Sequence, residues 1–89
     1  MFRVDWLESA LDELITLWTG AESSLRVLIT TATHAIERRL KTNAPNEGES
    51  RPGGRRVIFS APLTVTYQIE PDGVTATVLH VRLFRRRKQ

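Results

Sequence analysis

The residues with the clearest chemical potential are basic side chains gathered in the second half of the chain. Arginine guanidinium groups match the geometry of phosphate, and neutralising several phosphates releases counterions, so such a set binds RNA or DNA with steep salt dependence. Its members are Arg51, Arg55, Arg56, Arg82, Arg85, Arg86, Arg87 and Lys88. We predict that they converge on one surface of the protein and bind a polyanion there.

The charge along the sequence supports this prediction because it is strongly asymmetric. Residues 1–50 hold five Lys/Arg against eight Asp/Glu, whereas residues 51–89 hold eight against two. The formal net charge of the whole chain is only +3. Such a split produces a directional field that attracts phosphate backbones or an acidic protein to one face.

His80 is the candidate for proton transfer. It falls late in the last predicted strand, on the parity of Val78 and Arg82, where an imidazole is suited to general acid or base work. A lone strand histidine is more often a hydrogen-bonded structural residue, and that alternative stays open.

No metal site and no cofactor are predicted. The chain has two histidines, no cysteine, and no cluster of Asp or Glu beside a histidine at ligand spacing. Without cysteine, thiolate nucleophiles and disulfides are excluded, which suits a reducing compartment. No apolar run approaches the roughly 20 residues that span a bilayer, so we expect a cytoplasmic protein without membrane contact.

The elements that must position these residues begin with a short strand and two amphipathic helices. Phe2–Val4 alternates in polarity and precedes Asp5, which we predict to cap the first helix together with Glu8. Helical spacing of apolar residues predicts this helix over about residues 6–18 and a second over about residues 22–41. The two form an antiparallel hairpin whose apolar seam needs a third surface.

Each helix carries one apolar stripe that we assign to the core. The stripe of the first helix is Leu7, Ala10, Leu11, Leu14 and Trp18. The stripe of the second helix is Leu25, Leu28, Ile29, Ala32, Ile36 and Leu40.

The second half of the chain predicts three antiparallel strands. Residues 42–54 are rich in proline and glycine and read as a loop, followed by strands over residues 55–60 and 63–69. Alternation within the second of these strands places Tyr67 on the core side. Residues 74–83 are apolar on both faces, which is typical of a central strand.

The predicted fold is therefore a single α+β domain over residues 1–89. It consists of an N-terminal strand, an antiparallel helical hairpin and a three-stranded antiparallel meander, with a basic C-terminal tail over residues 84–89.

Several segments resemble toxins of the RelE/ParE superfamily. Residues 4–14, Val-Asp-Trp-Leu-Glu-Ser-Ala-Leu-Asp-Glu-Leu, are similar to the opening of that family, in which a short strand enters a helix. Residues 56–59, 63–69 and 78–82 resemble its three-stranded meander and basic end. The resemblance spans nearly the whole chain.

The resemblance implies the toxin half of a bacterial toxin–antitoxin pair, neutralised by a cognate antitoxin that wraps it, and leaves a homodimer open. In the RelE branch, basic side chains on the sheet activate a ribose 2′-hydroxyl and cleave mRNA on the ribosome without a metal. The ParE branch instead poisons DNA gyrase. By position, Arg55 or Arg56 matches the basic residues of the family's first meander strand, and Arg82 or Arg85 matches those near its last strand. If RNA is cleaved, the candidate catalytic residues are Arg55, Arg56, Arg82, Arg85 and His80, and the rest of the basic set, Arg51, Arg86, Arg87 and Lys88, is expected to bind the nucleic acid.

Ribosome-associated mRNA cleavage by a metal-independent endoribonuclease is the leading hypothesis, and gyrase inhibition is its alternative. Thr64 stands where family members usually carry an arginine, and no aromatic residue follows Phe84. These departures motivate a second hypothesis, a non-catalytic RNA- or protein-binding module on the same scaffold. A third is a structural domain whose basic tail serves solubility or pairs with an acidic protein.

Overall fold

Two helices cover one face of a five-stranded mixed sheet in the computed structural model, which describes residues 1–84. The elements are β1 (Arg3–Trp6), α1 (Glu8–Thr19), α2 (Ser23–Asn43), β2 (Glu49–Arg51), β3 (Arg55–Ser60), β4 (Leu63–Ile69) and β5 (Thr75–Leu83). The predicted α+β class, with its N-terminal strand, helical hairpin and antiparallel meander, is confirmed. Over residues 1–84, neither helix has the length and apolar character needed to cross a bilayer.

The strands lie in the order β1-β5-β4-β3-β2. β5 pairs in parallel with β1 and antiparallel with β4, so it is an interior strand, as its apolar residues predicted. β2 was not expected, since it falls inside the predicted loop over residues 42–54. It forms because Gly53 and Gly54, both with positive φ, turn the chain so that Arg51 pairs with Arg55.

The predicted cap of the first helix is wrong. Asp5 lies inside β1 and its carboxylate pairs with Arg3, 3.1 Å away. α1 instead follows Leu7, which offers no capping side chain. The reason is the parallel pairing with β5, which keeps the backbone extended until the Leu7 N–H donates to the carbonyl of Val78.

The hydrophobic core lies between the helices and the sheet. Its buried residues are Ala10, Ile29, Ala32, Ile36, Leu40, Ala44, Ile58, Leu63, Val65, Tyr67, Ala76, Val78 and Val81. The strand members all point to the helix side of the sheet, because each is paired with another core residue or with a partly buried apolar residue packed against the core. The opposite side, which no helix covers, is called the outer face below.

Part of each predicted helical stripe is not in the core. Leu11 and Trp18 of α1 and Leu28 of α2 are 41%, 42% and 54% exposed. Trp18 packs instead beneath the guanidinium of Arg26, 4.4 Å from the ring centroid, and its indole N–H donates to Thr30. Each apolar stripe is wider than the strip of helix surface that contacts the sheet, so one edge of the stripe remains exposed to solvent.

The segment that joins α2 to β2 is held against the sheet by polar contacts. A 3-10 helix over Ala44–Asn46 opens this segment. The hydroxyl of Tyr67 lies 2.7 Å from the carbonyl oxygen of Ala44 and 2.8 Å from that of Glu47. Arg39 donates to the carboxylate of Glu47 at 2.9 Å. Tyr67 is fully buried, as predicted, and burial raises the pKa of its hydroxyl.

Candidate nucleic-acid interface

The outer face carries His80 and Arg82 side by side on β5. Arg82 lies opposite Thr64 of β4, and His80 lies opposite Thr66. Residues directly opposite on neighbouring strands point to the same face, so the four form two adjoining rows. Both basic side chains are exposed. The prediction that these two residues share a face therefore holds.

A β-bulge puts His80 on this face. The register of β4 and β5 shifts between Thr66 and Tyr67, so that Tyr67 pairs with Val78 and Thr66 with His80. Leu79 is the extra residue, and Val78 points into the core while His80 points outward. The prediction that His80 lies on the same side of the strand as Arg82 was correct, and the prediction that it lies on the same side as Val78 was wrong.

Glu13 of α1 connects the helix to this site. Its Oε1 accepts from the Val81 N–H at 2.9 Å, and its Oε2 lies 2.7 Å from Nη1 of Arg82 and 3.6 Å from Nδ1 of His80. β1 pairs with β5 only as far as Trp6, so the Val81 amide lies beyond the end of β1, and the carboxylate accepts from it there. Partial burial raises the pKa of Glu13, but the Val81 amide and the Arg82 guanidinium outweigh it and hold the pKa below the ordinary value.

Glu13→Gln is expected to destabilise the protein by about 1 kcal/mol at pH 7, and by less at pH 3. The amide can still accept from Val81, but it loses the charge-assisted contact with Arg82. Because the folded-state pKa of Glu13 lies below its ordinary 4.5, its carboxylate stabilises the protein above that pH. This contribution disappears as the pH falls through the folded-state pKa. Urea unfolding at the two pH values measures the difference.

Asp12→Asn provides the matched control, because Asp12 is the neighbouring carboxylate of α1 and is exposed. Its substitution is expected to leave the free energy of unfolding within about 0.5 kcal/mol at either pH. An effect of Glu13→Gln that is as large at pH 3 as at pH 7 would contradict the assigned ion contact.

Arg51 and Arg55 form a second cationic group on the outer face. They lie directly opposite each other on β2 and β3, and Arg51 forms a salt bridge of 3.0 Å with Glu49. Arg55 is exposed, opposite Gln68. Four positions along the strand and two strands across place its Cα roughly 16 Å from that of Arg82. The basic residues of the outer face therefore form two separate groups, Arg82 with His80 and Arg51 with Arg55, instead of the single cluster that was predicted.

Arg56 points to the helix side of the sheet, away from the other candidates. It lies opposite Tyr67, and its guanidinium donates to the carbonyl oxygens of Glu47 at 2.8 Å and Gly48 at 3.3 Å. These contacts fasten the segment before β2, which explains why this arginine does not join the outer face. Four further predicted residues lie outside the described range: Arg85, Arg86, Arg87 and Lys88.

The end of the outer face near the β4–β5 turn is acidic. Glu70 and Asp72 lie there, and Asp5 of β1 lies beside Thr77. The Thr77 and Gln68 side chains hold the pKa of Glu70 below its ordinary value, and the Thr75 hydroxyl does the same for Asp72. Negative charge at this end leaves the end with Arg82 and His80 as the better position for a phosphate group.

Two aromatic residues of the site were missed in the sequence. Phe59 lies opposite Thr64 on the outer face, and Phe84 follows β5 at its end. Their rings form an edge-to-face pair with centroids 5.6 Å apart. Strand alternation could have placed Phe59 on this face, because it lies on the same side of β3 as Arg55.

No protein-family model matches the sequence, and no curated protein matches it either. A solved structure of the chromosomal ParDE system from P. aeruginosa is similar, with a TM-score of 0.74, 14% identity, and coverage of 96% of this chain and 98% of that chain.

The chain has the RelE/ParE toxin fold. The isolated RelE toxin of E. coli is similar with a TM-score of 0.62 and 20% identity over 99% of this chain and 89% of that chain. The RelBE2 toxin–antitoxin complex of Mycobacterium tuberculosis is similar with a TM-score of 0.68 and 13% identity over 92% and 90%. The RelE/ParE fold thus includes all the strands that form the outer face. At these sequence identities the similarity shows the fold alone.

Proposed function

We propose that the protein is the toxin of a type II toxin–antitoxin pair and that it cleaves RNA on its outer face. The shared fold supports the toxin assignment, since the similar structures are named as toxins or toxin–antitoxin complexes. A cognate antitoxin is the expected partner, and ribosome-bound mRNA is the expected substrate. The observation that carries the chemistry is the placement of Arg82 beside His80 on one face of β5.

Metal-independent RNA cleavage needs a base, a proton donor and a positive contact for the phosphate. The ribose 2′-oxygen attacks the adjacent phosphorus, and the bond from phosphorus to the 5′-oxygen breaks. The products are a 2′,3′-cyclic phosphate and a 5′-hydroxyl. The 2′-hydroxyl gives up its proton to a base, and the departing 5′-oxygen takes one up. In this proposal the His80 imidazole is the base, and a solvent water molecule gives the proton to the departing 5′-oxygen.

Arg82 is suited to contact the phosphate because only part of its guanidinium is occupied. Nη1 donates to Glu13 at 2.7 Å and to the carbonyl of Val81 at 3.1 Å. Among residues 1–84, Nε and Nη2 of this arginine have no hydrogen-bond partner, and the side chain is 60% exposed. These two nitrogens form the edge that binds two phosphate oxygens at once. Glu13 therefore positions the guanidinium without blocking it.

Gyrase inhibition is the second candidate, and Thr64 is the observation that favours it. Thr64 lies opposite Arg82, in the centre of the site, where the family resemblance implies an arginine. The site therefore has one cation fewer around the phosphate than that pattern provides. A toxin that acts by binding to a protein target does not need this charge.

Expression without an antitoxin tests the proposal. Growth arrest is expected, with transcripts that end in 2′,3′-cyclic phosphate. Arg82→Ala is expected to lower the rate at which the purified protein cleaves ribosome-bound mRNA about 100-fold or more, and to restore growth, because it removes the phosphate contact. His80→Ala is expected to lower the rate by a similar factor.

Arg38→Ala is the matched control, because Arg38 is an exposed arginine of α2, away from the outer face. It is expected to retain both arrest and cleavage, and thermal unfolding shows that all variants are folded. Arrest with intact transcripts and broken DNA would transfer the assignment to gyrase inhibition. A protein that neither arrests growth nor cleaves RNA would overturn the toxin assignment.

A further inference from the structure

We propose that Phe59 and Phe84 form a stacking surface for an unpaired nucleobase of the nucleic acid that Arg82 binds. This inference rests on the proposed function and adds the class of substrate. The two rings are 39% and 50% exposed and meet edge to face, with centroids 5.6 Å apart and planes at 72°. Within residues 1–84 they are the only aromatic side chains on the outer face.

The backbone on both sides of this aromatic pair is fixed. The carbonyl of Phe59 accepts from Nη1 of Arg39 at 3.0 Å, and the N–H of Phe84 donates to the carbonyl of Pro62 at 2.6 Å. Phe59 is also paired with Thr64 of β4. The rings are thus presented to solvent from anchored positions, and little ordering entropy is lost when a ligand stacks on them.

The pair lies beside the proposed phosphate contact. Phe59, Thr64 and Arg82 form one row across β3, β4 and β5. At the usual strand spacing, two strands across place the Cα atoms of Phe59 and Arg82 about 10 Å apart. The long side chain of Arg82 and one bound nucleotide together are able to span this distance. One nucleotide can therefore place its phosphate at Arg82 and a base at the rings.

The surroundings favour a nucleic acid over an apolar protein segment. The neighbours of the rings on the outer face are Val57, Thr64, Thr66, His80 and Arg82, and all of them except Val57 are polar or basic. Aromatic rings interleaved with cations and hydroxyls are typical of surfaces that bind single strands, in which each base offers a face for stacking. In a duplex both faces of a base are already stacked, so the site selects unpaired nucleotides.

A fluorescent RNA tests the stacking. The probe is a 2′-O-methyl RNA hexamer that carries 2-aminopurine, because it lacks the nucleophilic hydroxyl and remains intact during the titration. The wild-type protein is expected to change the 2-aminopurine fluorescence and to bind the hexamer more tightly than the same sequence in a duplex. Phe59→Leu and Phe84→Leu keep an apolar side chain but remove the ring, and each is expected to weaken binding about 5- to 100-fold.

Conservative and distant substitutions serve as controls. Phe59→Trp is expected to preserve binding, since it restores a ring at the same position. Val74→Ala, at an exposed apolar residue of the β4–β5 turn, is expected to leave binding unchanged. Thermal unfolding shows whether each variant is folded.

The outcomes separate this inference from the proposed function. If the leucine variants bind the hexamer as the wild type does, while Arg82→Ala binds poorly, the stacking surface is wrong and the RNA site stands. If the leucine variants lose the antitoxin but keep the hexamer, the pair contacts a protein and the inference is overturned. If the wild type binds no hexamer, the stacking surface is overturned, and RNA cleavage is decided separately by the transcripts of the expression experiment.

Discussion

Replacing Gly48 by alanine is expected to lower the free energy of unfolding by about 4 kcal/mol. The φ angle of Gly48 is +66°, and a Cβ atom at this position would lie 2.2 Å from the carbonyl oxygen of Val57. That oxygen belongs to the backbone of β3, so the strand itself must shift to make room. Urea unfolding measures the loss.

Gly53→Ala separates the two causes of this loss. Gly53 also has a positive φ, of +84°, but an added Cβ would have no heavy atom within 4 Å. This variant therefore incurs only the conformational cost, about 1 kcal/mol. Equal losses for the two glycines would show that the close approach to Val57 does not determine the stability of this region.

Leu40→Ala is expected to destabilise the protein by about 3–4 kcal/mol. Leu40 is fully buried near the end of α2, and its removal leaves a cavity between the helix and the sheet. Leu28→Ala is the matched control, because it is the same substitution in the same helix at a side chain that is 54% exposed. It is expected to cost less than about 1 kcal/mol.

Thermal or urea unfolding of the two leucine variants measures the contrast. A cost for Leu28→Ala as large as that for Leu40→Ala would mean that another molecule, such as a second copy of the chain, covers the exposed edge of α2. A cost below 1 kcal/mol for Leu40→Ala would contradict its place in the core.

The same two leucines show what helical periodicity can and cannot predict. Spacing of three and four residues correctly predicted that α2 is a helix with Ile36 and Leu40 inward. It also placed Leu28 inward, next to the fully buried Ile29. Periodicity gives the direction of an apolar face, but the width of the contact depends on how the helix lies across the sheet, which is a tertiary property.

The sheet was predictable where pairing is local. The alternation of Leu63, Val65 and Tyr67 with polar residues predicted which side of β4 is buried. The register of β4 with β5 is also local, because a short turn joins these two consecutive strands. The prediction that Asp5 caps α1 was wrong for the opposite reason. Its strand pairs with a segment about 70 residues away in sequence, and no local pattern shows that the chain remains extended at this point.

The candidate site was predictable as a set of residue types but not as an arrangement. Alternation separates Arg55 from Arg56, yet only the pairing of Arg56 with Tyr67 shows which of the two faces the helices. Glu13 could not have been found, since its role depends on where α1 crosses the end of β1. Long-range contacts of this kind leave no spacing signal in a single sequence.

The pairing of β1 with β5 bears on how this protein is made. Arg3 joins Thr75, and α1 packs against the same strand, so the beginning of the chain remains without its support until the last strand has been synthesised. The site of the outer face depends on the same strand, because β5 carries both His80 and Arg82.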